Sequence, residues 1–289
     1  MSTIKTLDLG DVILSYKEIG SGDKYLISTQ NFFFTDCHME LLGKPPYDYH
    51  CFLIFMRGNE QSRTVGEEIM LVCFSSIAGS DVARFAEAMN IPSFFYTGIS
   101  HGNFAGWDLA FHRPELLRAW VCCDGIAQYR EMPMGGRPAA PRPQQAEPMT
   151  EEERRAAYEK RAWIEEWPTE NPERLARRAF NHAEHVEILM RTPRDVKPSR
   201  FPIDMTFCGA KSADELYERM KSIPMPVMIW EGGKDPLAKA EDALKVAQTI
   251  PGASLLTYQH LGHGGADEMP VLAARDCDRF FRDTEGRIL

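Results

Sequence analysis

Ser93-Phe94-Phe95-Tyr96-Thr97-Gly98-Ile99-Ser100-His101-Gly102-Asn103-Phe104-Ala105-Gly106-Trp107-Asp108-Leu109-Ala110 is the stretch whose reading decides the fold. Its first half is apolar on both faces, as a strand of a parallel sheet covered by helices must be. Its second half spaces Phe104, Ala105, Trp107, Leu109 and Ala110 as a helix does. Between them stands G-x-S-x-G, Gly98 to Gly102. A serine in a sharp strand-to-helix turn exposes its hydroxyl, and small residues two positions away on either side prevent clashes there. The helix N-terminus beneath it offers partial positive charge to a developing oxyanion. Ser100 is therefore the candidate nucleophile.

Working outward, Leu7-Asp8-Leu9 and Val12-Ile13-Leu14-Ser15-Tyr16 flank Gly10-Asp11 as an antiparallel pair. Tyr25–Thr29, Cys51–Phe55, Ala119–Cys123, Val227–Trp230 and Ser254–Tyr258 repeat the strand signal. Ser80 to Met89 has helical spacing through Val82, Phe85, Ala86 and Met89, with Ser80 as a cap. An antiparallel start followed by alternating strands and helices predicts one mostly parallel α/β sheet. No strand signal appears between about Ile126 and Ile223. That segment opens with a proline-rich stretch, Met132 to Pro148, which predicts an irregular loop. Thr150-Glu151-Glu152-Glu153 is a capping box opening a helix toward Trp163 and Trp167. Asn171-Pro172-Glu173 and Ser212-Ala213-Asp214-Glu215 open two more. A helical block between two sheet strands is a lid candidate.

A serine nucleophile needs a base, and the base needs an orienting acid. Trp230-Glu231-Gly232-Gly233-Lys234-Asp235-Pro236 places an aspartate in a glycine turn just past a late strand. Leu261-Gly262-His263-Gly264-Gly265 places a histidine just past the next one. The order serine, acid, histidine is the one expected on such a sheet. Asp124, after the strand ending at Cys123, is the alternative acid. His260 lacks flanking glycines, and His182 and His185 on one helical face read as a solvated surface rather than a metal pair.

A length of 289 residues accommodates one large α/β domain with an inserted lid, or two domains. A net charge of −9 disfavours nucleic acid or an anionic membrane as the main partner. No apolar run reaches the roughly 18 residues of a membrane span, and the first residues lack a signal-peptide pattern. Seven cysteines without metal-like spacing predict reduced thiols in a cytoplasmic protein, with Cys122 and Cys123 as small core residues. No phosphate-binding loop or dinucleotide fingerprint is present.

Taken together, these motifs resemble the α/β-hydrolase superfamily, particularly the capped branch of small esterases, lactonases and C–C bond hydrolases. Phe55-Met56-Arg57-Gly58-Asn59-Glu60-Gln61-Ser62 resembles that branch's Asp-x-Arg-Gly-x-Gly-x-Ser turn, with Met56 and Asn59 as departures. His112-Arg113-Pro114-Glu115 resembles the Tyr-Pro-Glu end of the helix after the nucleophile. The resemblance implies an eight-stranded, mostly parallel sheet, with residues 1–125 and 224–289 as core and 126–223 as a helical cap. It implies Asp235 as acid, and Phe32 and His101 as backbone N–H donors of the oxyanion hole. Gln30-Asn31-Phe32-Phe33 stands where the family commonly has His-Gly-x-Pro, so Gln30 and Asn31 become candidate substrate contacts. Trp163 and Trp167 are further candidates, with Phe180, Ile188, Leu189 and Met190 either lining an apolar pocket or packing the cap.

The resulting expectation is acyl transfer from a carboxylic ester or lactone through Ser100, with no metal or organic cofactor. The expected partners are a small-molecule substrate and, in addition, a second copy in a homodimer. The alternatives are a C–C hydrolase acting on a diketone, a hydroxynitrile lyase, and a ligand-binding pseudo-enzyme or receptor on the same fold.

Overall fold

The computed structural model describes residues 3–30, 37–66, 74–127, 150–160, 171–192 and 210–286. The proline-rich stretch 132–148 lies outside the described residues, as do Asn31, Phe32, Trp163 and Trp167.

The apolar runs become one nine-stranded sheet. Its main path comprises β1 (Ile4–Asp8), β2 (Val12–Ile19), β3 (Lys24–Gln30), β4 (Tyr49–Phe55), β6 (Phe94–Ile99), β7 (Leu117–Cys123), β8 (Val227–Gly232) and β9 (Ser254–Tyr258). They run in the order β1-β2-β4-β3-β6-β7-β8-β9, and a two-residue β5 (Arg63–Thr64) adds to β2. The expected eight strands are this path, with β5 in addition. The hairpin at Gly10 pairs β1 with β2 antiparallel, Leu7 opposite Leu14. Gly10 supplies the positive φ, 92°, that the turn requires. From β3 onward the path strands pair in parallel, with β2 antiparallel to β4.

Side chains alternate across these strands, so each run feeds two cores. Phe52, Ile54, Trp120, Cys122 and Ile229 belong to one buried cluster, which includes residues of α2 (Phe74–Ala88), α3 (Asn103–His112) and α7 (Ala240–Thr249). Cys51, Leu53, Val121, Cys123 and Trp230 belong to the other, with residues of α1 (Cys37–Leu42) and α9 (Pro270–Gly286). The adjacent thiols Cys122 and Cys123 thus point to opposite faces and are fully buried, as core residues. Helix α2 begins before Ser80, the expected cap, because its buried face already includes Ala78.

Between β7 and β8 the described residues form three helices, α4 (Glu151–Glu159), α5 (Pro172–Arg191) and α6 (Ala213–Met220), and no strand. Each starts where its cap predicts. Thr150 and Glu153 close a reciprocal capping box. Asn171 Oδ1 accepts from the Glu173 and Arg174 amides, and Ser212 Oγ from that of Glu215. Leu216 and Met220 bury α6 in the same core cluster as Trp120. Among the described residues no helix is long and apolar enough to cross a membrane.

The strand order fixes where a site can form. The chain steps from β3 outward to β4, then returns to place β6 on the other side of β3. Such a reversal opens a crevice at the carboxyl ends of the two strands, here beyond Gln30 and Ile99. The turn after β4 is fastened beside it by Arg57, whose Nε and Nη2 each donate to Asp81 of α2 at 2.7 Å. Both residues are buried. Asp81→Ala removes the carboxylate from a buried forked pair and is expected to cost about 3 kcal/mol. A urea denaturation midpoint matching wild type would refute that role.

Candidate active site

Ser100 stands at the crevice with φ at +52°, a left-handed backbone that costs a non-glycine residue energy. Its surroundings explain the glycines. A Cβ on Gly98 would come within 2.8 Å of the Gly102 carbonyl carbon and oxygen, and one on Gly102 within 2.6 Å of the Thr29 oxygen. Hydrogen bonds brace the turn. Gly102 O accepts from Tyr96 Oη at 2.5 Å and Thr29 Oγ1 at 2.8 Å. Asn103 Nδ2 donates to the carbonyls of Gly98 and Cys123, both at 2.8 Å. These side chains hold the strained residue in place.

His263 Nε2 lies 2.8 Å from Ser100 Oγ, and His263 Nδ1 lies 2.7 Å from Asp235 Oδ2. The other carboxylate oxygen of Asp235 accepts the amides of Leu237 and Ala238 at 2.7 and 2.9 Å. The Asp235 side chain is wholly buried and that of His263 nearly so. Ser100 Oγ has a second imidazole neighbour, His101 Nδ1 at 3.3 Å, and the His101 ring packs edge-on against Phe104. His260 is exposed, its ring near Tyr258.

Asp124, the alternative acid, is turned elsewhere. Its Oδ1 accepts the Gly232 amide at 3.0 Å, its backbone φ is +47°, and its Oδ2 has no hydrogen-bond partner. Beside it is Glu231, which the sequence reading passed over. Glu231 is fully buried and neither of its carboxylate oxygens has a hydrogen-bond partner. Carboxylate oxygens of Asp124, Glu231 and Asp235 lie within 4.8 Å of one another. Burial, then the neighbouring charge of Asp235, push the Asp124 carboxyl up to about 7. Burial, with Asp124 and Asp235 adding to it, holds Glu231 well above the ordinary carboxylate range. The cluster therefore keeps a proton that isolated carboxylates would release at neutral pH. The signal for Glu231 was available: a glutamate at the inner end of an apolar strand, four residues before Asp235.

The remaining expected residues fall in several places. Gln30 ends β3 beside β6, at the crevice. His185 is buried in α5 rather than solvated, which corrects the surface reading, because it sits on the helix's inward stripe. Among the described residues, neither it nor His182 belongs to a group of three potential metal ligands. Phe180 is 54% exposed with the Arg177 guanidinium over its ring, whereas Ile188 is buried.

No family model matches the chain, and no curated protein matches its sequence. Solved structures do match over nearly its whole length. A hydrolase from Pseudomonas aeruginosa PA01 superposes with a TM-score of 0.66 at 19% identity, over 96% of this chain and 98% of that one. An enol-lactonase from Burkholderia xenovorans LB400 gives 0.66 at 16%, over 96% and 100%. An esterase from Rhodococcus sp. ECU1013 gives 0.66 at 16%, over 98% and 100%. The chain has the α/β-hydrolase fold.

An acid whose folded pKa is raised contributes stability that is fully present below its unfolded pKa and lost as pH rises through the folded value. For Asp124 the upper bound of that window is about 7. Asp124→Asn keeps an acceptor for the Gly232 amide and cannot ionise. Between about pH 6 and about pH 8, wild type is expected to lose about 1 kcal/mol relative to this variant. Parallel melting temperatures across that range would refute the shifted carboxyl.

Proposed function

We propose that this chain is a serine hydrolase that cleaves a carboxylic ester or lactone through an acyl-enzyme. The observation that carries the reading is the line Ser100 Oγ–His263–Asp235, at 2.8 and 2.7 Å, ending on a serine held in left-handed backbone. The esterase and enol-lactonase among the structural neighbours support the same class of chemistry.

The imidazole accepts the Ser100 proton at Nε2 as Oγ attacks the substrate carbonyl. Asp235, fixed by the Leu237 and Ala238 amides, stabilises the imidazolium that forms. Backbone N–H groups of His101 and Phe32 are assigned to the oxyanion. His263 then protonates the leaving group, and water, activated by the same nitrogen, releases the acyl group. Gln30, Asn31, Trp163 and Trp167 are assigned to substrate contact, and the helices between β7 and β8 to a cap over the crevice.

The test combines an active-site fluorophosphonate with a panel of p-nitrophenyl esters, aryl lactones and vinylogous diketones. Wild type is expected to be labelled at Ser100 and to turn over an ester or lactone, and Ser100→Ala to lose about 10³-fold or more of that turnover. Full turnover by Ser100→Ala would remove the nucleophile assignment. Ligand binding by a wild type that takes no label would favour a receptor on this fold.

A further inference from the structure

Helix α5 meets the rest of the molecule through a stripe that is largely polar, where a surface helix usually turns apolar side chains inward. Of its six buried positions, Arg174, Arg178, Asn181, His185 and Ile188 recur at spacings of four and three, so they share one face, with Val186 beside them. Arg174 and Arg178 are only 6% and 7% exposed. Both grip Glu268, the last residue of α8 (Gly265–Glu268). Arg178 Nε donates to Glu268 Oε1 at 2.5 Å. Arg174 Nε donates to Oε2 at 2.8 Å, with a short second contact from Nη2 to the same oxygen. On the same stripe, Arg174 Nη1 donates to the His260 carbonyl and Asn181 Nδ2 to the Asp267 carbonyl, each at 3.2 Å.

These contacts bracket one segment. His260 lies at its start and Asp267-Glu268 at its end, with His263 between them. The interior of the segment is a tight turn: Gly264 has φ +79°, and the Gly265 amide donates to Gly262 O at 3.1 Å. From the other side the Lys234 amide reaches Leu261 O at 2.9 Å. Elsewhere α5 is fastened by Glu184 on Lys17 at 3.1 Å and Arg191 on Glu60 at 2.5 Å. Those partners lie on β2 and in the turn after β4, away from residues 260–268.

We propose that Arg174 and Arg178 through Glu268, and Asn181 through the Asp267 carbonyl, are positioning residues for His263. Docking of α5 sets where the imidazole stands relative to Ser100, so the helix inserted between β7 and β8 and the base move as one unit. This rests on the reading of His263 as general base. Hydrogen-bonded proton transfer is steep in distance, so loosening this bracket is felt at Ser100 without any contact to substrate.

The test compares Glu268→Gln, the double variant Arg174→Met/Arg178→Met and Arg191→Met, each checked by thermal unfolding. One readout is the downfield proton resonance of His263 Nδ1–H in its bond to Asp235, assigned by its loss in His263→Gln, which needs no turnover. The other is the rate of Ser100 modification by fluorophosphonate. Glu268→Gln and the double variant are expected to broaden or abolish the resonance and slow modification about tenfold to a hundredfold. Arg191→Met is expected to keep both at the wild-type level. Arg174→Lys/Arg178→Lys retains charge without the fork and is expected to recover part of the rate. If the Met pair does not fold, Glu268→Gln and the Lys pair decide.

A wild-type resonance and rate in Glu268→Gln would overturn the inference. So would equal losses in Arg191→Met, which would make the stripe ordinary packing. A wild type that shows the resonance but takes no label overturns the hydrolase reading, and the resonance alone then decides the positioning role.

Discussion

A carboxylate can only accept hydrogen bonds, and that constraint orders everything around His263. The ring nitrogen facing Asp235 must carry the proton, so in the neutral imidazole the other nitrogen is an acceptor and faces Ser100. Asp235 would turn freely were its second oxygen not tied to two backbone amides. Three turns from three different strands must therefore agree within a fraction of an ångström. The sheet reversal between β3 and β6 brings them to one crevice, and close glycine contacts let them approach. Gly232 shows this closeness, since a Cβ there would come within 2.5 Å of the Gly262 oxygen.

Much of this was legible in sequence because the signals were local. A strand buried on both faces is mostly apolar, so Ser93–Thr97 and Ala119–Cys123 were legible as strands. Thr150, Asn171 and Ser212 each satisfy orphan amides at a helix start, and each did so where its spacing indicated. The line of Ser100, His263 and Asp235 was legible from glycine turns following strands. What escaped was long-range. Glu231 is visible as a glutamate at the end of an apolar strand, but its approach to Asp124 is not. Arg174 and Arg178 carry no signal of their own in the sequence. Their partner lies some ninety residues on, at Glu268, and no helical periodicity points to it. His185 was misread for the same reason.

The charges are arranged in two unlike ways around the same imidazole. On one side, buried Asp124 and Glu231 share too few partners, so protonation replaces pairing as the means of tolerating burial. On the other, two buried guanidiniums converge on one glutamate, and pairing does the work. Within the first arrangement, Asp124 titrates near neutrality, at about 7.

Ser100 and His263 are 163 residues apart in the chain, and the pair forms only when β8 and β9 have joined the sheet. Under the proposed hydrolase reading, the serine of the strained turn is synthesised 163 residues before its base. On that reading, a chain ending before residue 263 carries a serine without its base, an alcohol of ordinary reactivity. Under it, Ser100 gains its base only once residue 263 has been made and β9 has paired with β8.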